Sequence, residues 1–303
     1  MNLVDDIKKL KSKKKAVILA HNYQRPEIQD IADFVGDSFE LSLAAANTDA
    51  SIIVFCGVLF MAETAKIISP LKKVLLPDAR AGCPLADMIK PEDVKKLRLE
   101  YPGAAVVCYI NTSAAVKAEC DICCTSSSAV SVVNSLDSDT VIFLPDRNLG
   151  RYVSGLTDKK MIIWNGYCPT HEFLSAEDIK KLKKEYPAAK FVVHPECKEE
   201  VIKLADEVTS TSGILRYAKT EKSDTFIIGT EEGILHRLGI ENPGKRFIHA
   251  SKYMMCQDMK YITLDSLYAS LDKEETEIHI PKDISERAGA TIKRMLAAAE
   301  KSG

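Results

Sequence analysis

Cys83, Cys168 and Cys256 stand 85 and 88 residues apart in a chain of 303. Brought together, three thiolates suit a soft metal or an iron–sulfur cluster. A cubane needs four attachments, so three would leave one iron open, a Lewis acid able to bind and polarise a hydroxyl or carboxylate oxygen. Dehydration is the chemistry that follows. A single buried cysteine is ordinarily a small hydrophobe; the even spacing lifts these three above that reading. Cys120, Cys123 and Cys124 are crowded, but zinc frameworks pair one C-x-x-C with a second pair of Cys or His, and none follows. That cluster reads as packing or an adventitious disulfide. Cys56 and Cys108 sit inside strand-like runs and Cys197 follows one, which makes them packing residues too. The total of nine is odd, so full disulfide pairing is excluded.

Polar residues follow the same spacing. His21-Asn22-Tyr23, Tyr109-Ile110-Asn111 and His194-Pro195-Glu196 recur 88 and 85 residues apart, each just after an apolar run. Histidine can donate to carboxylates or shuttle protons near neutrality. Tyr and Asn offer uncharged donors, and Glu196, the only carboxylate of the set, is the candidate base. Ser38, Ser126 and Thr211 obey the same offsets and open helix-like runs. Free N–H groups at helix starts attract carboxylate or phosphate; Ser126 or Ser127 can equally cap its helix.

These offsets reflect an internal repeat. The segment from Pro91-Glu-Asp-Val-Lys-Lys-Leu to Tyr109 returns from Ala176-Glu-Asp-Ile-Lys-Lys-Leu to His194, and Asp5 to His21 is a looser copy. Ser51–Phe55, Asp139–Phe143 and Asp224–Ile228 align by the same shifts as β-branched runs of strand length. Each copy reads helix, strand, helix, strand, helix, strand, and continuous apolar strands alternating with helices mean parallel sheets covered on both faces. The predicted fold is α/β: three pseudo-equivalent α/β/α sandwich domains around a pseudo-threefold axis. The expected units are residues 1–84, 85–169 and 170–256. A C-terminal extension, 257–303, with a helical run from Ile284 to Lys301, is expected to pack back on the first domain. Ligands gather beyond the carboxyl ends of parallel strands, so the three cysteines and the polar sets should face one central cavity.

Composition narrows the class. Lys+Arg 41 against Asp+Glu 43 leaves no basic surplus for a phosphate backbone, so nucleic acid is a poor partner. A hydrophobic fraction of 46% suffices for a large core. No apolar run reaches the roughly 18 residues that span a bilayer, and the N-terminus lacks the basic start and apolar core of a secretory signal. A cytoplasmic location is expected. G-x-G-x-x-G, G-x-x-x-x-G-K-[ST] and G-x-S-x-G are all missing from the sequence, against dinucleotide, P-loop and serine-hydrolase chemistry.

Seven motifs together resemble the quinolinate synthase family, the iron–sulfur enzymes of de novo NAD biosynthesis: His21-Asn-Tyr-Gln24, Gly57-Val-Leu-Phe-Met-Ala-Glu-Thr-Ala-Lys66, Pro77-Asp-Ala-Arg-Ala-Gly-Cys83-Pro, Tyr109-Ile-Asn-Thr112, Cys124-Thr-Ser-Ser127, Trp164-Asn-Gly-Tyr-Cys168-Pro-Thr-His171 and His194-Pro-Glu-Cys197. The resemblance implies condensation of iminoaspartate with dihydroxyacetone phosphate to quinolinate, phosphate and water. It implies a [4Fe-4S] cluster on Cys83, Cys168 and Cys256. It carries substrate contacts to His21, Ser38, Tyr109, Asn111, Ser126, His194, Glu196 and Thr211, with Glu196 and Tyr23 for proton transfer and His21 beside them. It also implies an aspartate oxidase or dehydrogenase as the source of iminoaspartate.

The chain departs from the family pattern in two places. Cys256-Gln-Asp-Met259 lacks the C-x-x-C-x-x-C of some members, so a redox pairing of extra thiols there cannot operate. Around Cys124 the run has Cys120 and Ser128 where Ser and Asn are expected. Two rival classes stay in view, a zinc-dependent hydrolase or lyase using the same thiolates and a non-catalytic small-molecule binding module.

Overall fold

The computed structural model describes residues 3–300, so the expected helix end at Lys301 lies outside the described residues. The first unit runs α1 (Leu3–Lys13), β1 (Ala16–His21), α2 (Pro26–Ile31), β2 (Phe34–Gly36), α3 (Ser38–Asn47), β3 (Ile52–Cys56), α4 (Leu59–Ile68), β4 (Lys73–Leu75) and α5 (Pro84–Asp87). The second repeats it as α6 (Pro91–Glu100), β5 (Ala105–Tyr109), α7 (Ala114–Lys117), β6 (Ile122–Cys124), α8 (Ala129–Asn134), β7 (Thr140–Leu144), α9 (Arg147–Ser154), β8 (Lys160–Ile163) and α10 (Pro169–Glu172). The third is α11 (Ala176–Glu185), β9 (Lys190–Val193), α12 (Glu199–Ile202), β10 (Glu207–Val208), α13 (Thr211–Thr220), β11 (Thr225–Gly229), α14 (Ile234–Glu241), β12 (Arg246–His249) and α15 (Gln257–Lys260). Two further helices follow, α16 (Leu264–Lys273) and α17 (Lys282–Glu300).

Each unit carries a four-stranded parallel sheet of one strand order, β2-β1-β3-β4, β6-β5-β7-β8 and β10-β9-β11-β12. The fourth strand per sheet is the difference from the expected three. It is the edge strand β2, β6 or β10, two or three residues long, too short to carry a period-2 signal of its own.

The repeat is written in its chemistry as well as its topology. Asp33, Asp121 and Asp206 each accept a backbone N–H from the first strand of their unit, Ile18 at 2.8 Å, Val106 at 2.7 Å and Phe191 at 2.9 Å. Each also binds a cation from the preceding helix, Lys11, Arg98 or Lys183. One carboxylate thus ties helix, loop and strand together in every copy. Helices α6 and α11 end before Pro102 and Pro187, which cannot continue them. The central strands are buried along almost their whole length because helices cover both faces. In the third sheet the alternation is visible: Phe191, Val193 and Ile227 face one core, while Val192, Phe226 and Ile228 face the core shared with the other units.

The C-terminal helices divide their contacts. Helix α16 lies on α1 and β3 of the first unit; α17 reaches α4 but lies chiefly on α7, α8 and β6 of the second. Its buried Ala288, Ile292 and Met295 supply the apolar face that covers that short edge strand. Among the described residues no helix is long and apolar enough to cross a membrane.

Candidate functional site

The carboxyl ends of the three sheets open on one cavity of about 70 Å³. All twelve residues singled out from the sequence line it: Cys83, Cys168 and Cys256; His21, Tyr23 and Ser38; Tyr109, Asn111 and Ser126; His194, Glu196 and Thr211. The position of each follows from the repeat, since every strand end delivers its polar residues to the same place.

The cysteines arrive by one device used three times. Each is the residue before a four-residue helix, α5, α10 or α15. The backbone N–H three residues on, at Ala86, His171 or Met259, favours the charged form of the sulfur without closing a capping hydrogen bond to it. The loop leading to each is held by an equivalent backbone bond, Leu59 N–H to the Ala81 carbonyl, Arg147 to Gly166 and Glu232 to Met254, always two residues before the cysteine. Burial pushes all three thiols up, Cys256 to about 12. The remaining cysteines pack: Cys108 and Cys123 lie in neighbouring strands with sulfurs 3.4 Å apart, and Cys120 donates to the Val116 carbonyl at 3.1 Å. All are free thiols.

The histidines are locked in one tautomer. The N–H of Tyr23 donates to Nδ1 of His21 at 3.2 Å, and that of Glu196 donates to Nδ1 of His194 at 3.3 Å. With Nδ1 accepting, the ring proton belongs on Nε2. Burial lowers His21 to about 3 and His194 to about 4, so both rings are neutral hydrogen-bond donors.

Glu196 is the hub. Its side chain receives Asn111 Nδ2 at 3.3 Å, has the Tyr109 phenol beside it, and lies 2.8 Å from His171 Nδ1 and 3.6 Å from His194 Nδ1. Burial opposes its charge, but the adjacent ring of His171, within hydrogen-bond distance, holds the carboxyl below its ordinary range. Tyr23, by contrast, is pushed up by burial and stays a phenol, bonded to Thr211 at 3.0 Å and to Thr230.

Sequence reasoning assigned no role to His171, although its motif was in view. Its Nε2 lies 2.9 Å from Thr230 Oγ1 and its Nδ1 3.2 Å from Cys168 Sγ, so it connects Glu196, the second cysteine and Tyr23. Cys168, His171 and Glu196 present donor atoms within 4.8 Å of one another. The hydroxyls also differ from expectation in detail. Ser38 and Thr211 are the first residues of α3 and α13, whose caps are Asp37 and Ser210. Neither Ser126 nor Ser127 caps α8. That helix begins at Ala129 after Ser128, and Ser128 Oγ instead accepts the Thr125 N–H at 2.9 Å. Ser126, released from capping, pairs with His194 Nε2 at 3.3 Å.

Two further side chains hold the polar loops from behind. The ammonium of Lys117, wholly buried, donates to the carbonyls of Ile110, at 2.8 Å, and Thr112. Gln29, 88 residues earlier, donates to the equivalent carbonyls of Asn22 at 3.2 Å and Gln24 at 2.9 Å. Both therefore fix the loop that presents the cavity residues. Lys117→Met should leave two buried carbonyls without donors and cost about 1–3 kcal/mol, while misplacing Asn111 and raising KM severalfold. Urea unfolding and steady-state kinetics check this; an unchanged midpoint and KM would remove the role.

Comparison with known proteins follows this geometry. The model of the family described as quinolinate synthetase A protein matches residues 5–297. Similar proteins named quinolinate synthase include one from Methanoregula boonei, 55% identical over 97% of this chain and 98% of its own length, and one from Dehalococcoides mccartyi, 54% identical over 96% of each. Another, named quinolinate synthase 1, from Methanosarcina acetivorans, is 51% identical over 98% of this chain and 97% of its own. With a match over nearly all its length and relatives above half identity, the chain belongs to the quinolinate synthetase A family, whose activity is quinolinate formation for NAD biosynthesis.

Proposed function

We propose that this chain is a cytoplasmic enzyme that condenses iminoaspartate with dihydroxyacetone phosphate, releasing phosphate and two waters as the pyridine ring closes. A [4Fe-4S] cluster on Cys83, Cys168 and Cys256 is part of this reading. The observation that carries it is the convergence of three thiols, one from each unit, on the cavity that also holds Glu196. The donor set suits a cluster better than a single ion. A tetrahedral zinc with Zn–S near 2.3 Å brings its sulfurs to about 3.8 Å, whereas these three do not close to within 4.8 Å of one another as a set among the described residues. Each sulfur stands at the start of a short helix whose backbone N–H groups favour its charged form, and buried thiols of raised pKa lose their protons when a cation is supplied. The bound cluster would supply Lewis acidity through its open iron.

The protein's residues divide the remaining work. Glu196, held ionised, takes the proton. Tyr23, held as a phenol, gives one to a departing hydroxyl. The neutral rings of His21 and His194 donate from Nε2 to substrate carboxylates. Ser38, Ser126 and Thr211 hold the phosphate through their hydroxyls, two of them as the first residues of ten-residue helices. Tyr109 orients the Glu196 carboxylate. Asn111 lines this cavity and its buried Oδ1 has no hydrogen-bond partner; an imine or amine N–H of the aspartate-derived substrate would satisfy it. An oxidase or dehydrogenase acting on aspartate must supply that unstable imine.

A single ion on Cys168, His171 and Glu196 is the second reading, favoured by their mutual closeness. One experiment separates the two. Anaerobically purified protein should be brown, with broad visible absorption and about four irons and four sulfides per chain. A colourless protein with one zinc per chain would support the second reading, and a protein with neither would leave a binding module.

A further inference from the structure

Two buried carboxyl groups to which the proposed reaction gives no role, one of them (Glu231) on the cavity wall, stand at one position of the repeat. Asp146 follows the end of β7 by two residues and Glu231 follows the end of β11 by two, 85 residues later. Both are fully buried. Asp146 Oδ2 accepts the backbone N–H of Cys168 at 3.1 Å, and Oδ1 accepts that of Leu149 at 2.8 Å. Glu231 Oε1 accepts the backbone N–H of Cys256 at 3.0 Å and the Lys260 ammonium at 2.9 Å, while Oε2 accepts the Gly233 N–H at 2.7 Å. The same bond, carboxylate to cysteine amide, is therefore built twice.

The first unit lacks it. Its equivalent position, 88 residues before Asp146, is Val58. Yet the turn there keeps its backbone bond, Leu59 N–H to the Ala81 carbonyl. The fold can thus make this turn around an apolar residue. Asp146 also forms no ion pair among the described residues, and burying a carboxylate against backbone donors alone is a poor route to stability. What the carboxyl groups add in the second and third units is a fixed amide, and hence a fixed sulfur.

We propose that Asp146 and Glu231 are positioning residues that pre-set Cys168 and Cys256 for the cluster, so that Cys83 is the ligand held with the least side-chain support. This rests on the three-cysteine cluster reading above. Outer-sphere partners of metal ligands commonly carry 10- to 100-fold in metal affinity.

The test uses the full chain reconstituted anaerobically with iron and sulfide. Asp146→Asn and Glu231→Gln should each release iron to a chelator at least tenfold faster than the wild type. The exchanges Asp146→Glu and Glu231→Asp, each borrowing the other unit's residue, should restore most of the retention. Asp146→Val, copying the first unit, should keep the wild-type circular dichroism yet lose iron like Asp146→Asn. Retention unchanged in the amide variants would overturn the proposal. So would failure of both Asp146→Asn and Asp146→Val to fold, since the carboxylate would then serve the fold. A wild type that takes up no iron would end the cluster reading and this inference with it, whereas a loaded wild type with equally retentive variants would end this inference alone.

Discussion

Glu196→Gln should leave the brown colour and the iron count at wild-type values while lowering kcat by about 10²- to 10⁴-fold, the usual worth of a positioned general base. The replacement is nearly isosteric and exchanges a charged acceptor oxygen for a neutral NH2 donor. Tyr109, Asn111 and His171 converge on this one carboxylate, and Gln retains an acceptor oxygen for one or two of them. Substrate binding should therefore suffer less than turnover, with KM changing by a few fold at most. The cysteines are held by their own backbone bonds, so cluster content should not follow the rate. Quinolinate formation measured anaerobically, beside iron and sulfide determination on the same sample, checks both halves. A variant within tenfold of the wild-type rate would mean that another group takes the proton. Loss of colour would mean that Glu196 supports Cys168 through His171, which bridges them.

Much of this site was readable before any coordinates, because the chain repeats itself. Once His21, Tyr109 and His194 are recognised as equivalent, the geometry of parallel sheets sends their strand ends, and the loops bearing Cys83, Cys168 and Cys256, to one place. What stayed hidden is of two kinds. Short elements such as β10, two residues long, carry no periodicity and exist only because a neighbouring strand offers hydrogen bonds. Residues such as His171 and Thr230 gain their roles from partners in other units: His171 meets Thr230 across 59 positions and Tyr23 meets Thr230 across 207. No local pattern encodes such a meeting. Lys117 and Glu231 read in the sequence as ordinary charged residues on or near helices. Only their complete burial shows that one holds a loop and the other a cysteine amide. The expected capping by Ser126 failed for a related reason, since Ser128 satisfies the turn locally and frees Ser126 for a long-range partner.

Replacing any one of Cys83, Cys168 and Cys256 by Ser should produce a colourless protein with less than about one iron per chain after reconstitution and no measurable quinolinate formation. A hydroxyl of ordinary pKa is a poor replacement for a thiolate toward iron, and two cysteines from two different units cannot close a site that spans three. The effect should be nearly the same for all three variants, because each unit contributes a single sulfur by the same helix-start device. Cys56→Ala and Cys197→Ala serve as controls. Both side chains are wholly buried in the packed interior and neither lines the cavity. Each should cost stability of about 1–2 kcal/mol through a small void while leaving colour and iron intact. Visible spectra, iron and sulfide counts and thermal melting of the five variants separate ligation from packing. Retention of the full chromophore by Cys83→Ser, Cys168→Ser or Cys256→Ser would show that the cluster hangs on other residues, and equal loss from the two controls would show that colour follows stability. The unfolding temperature adds an independent arm. If the cluster binds only the folded chain, its removal must lower that temperature, so all three ligand variants should melt at the temperature of the unloaded wild type and the controls should still gain stability on loading.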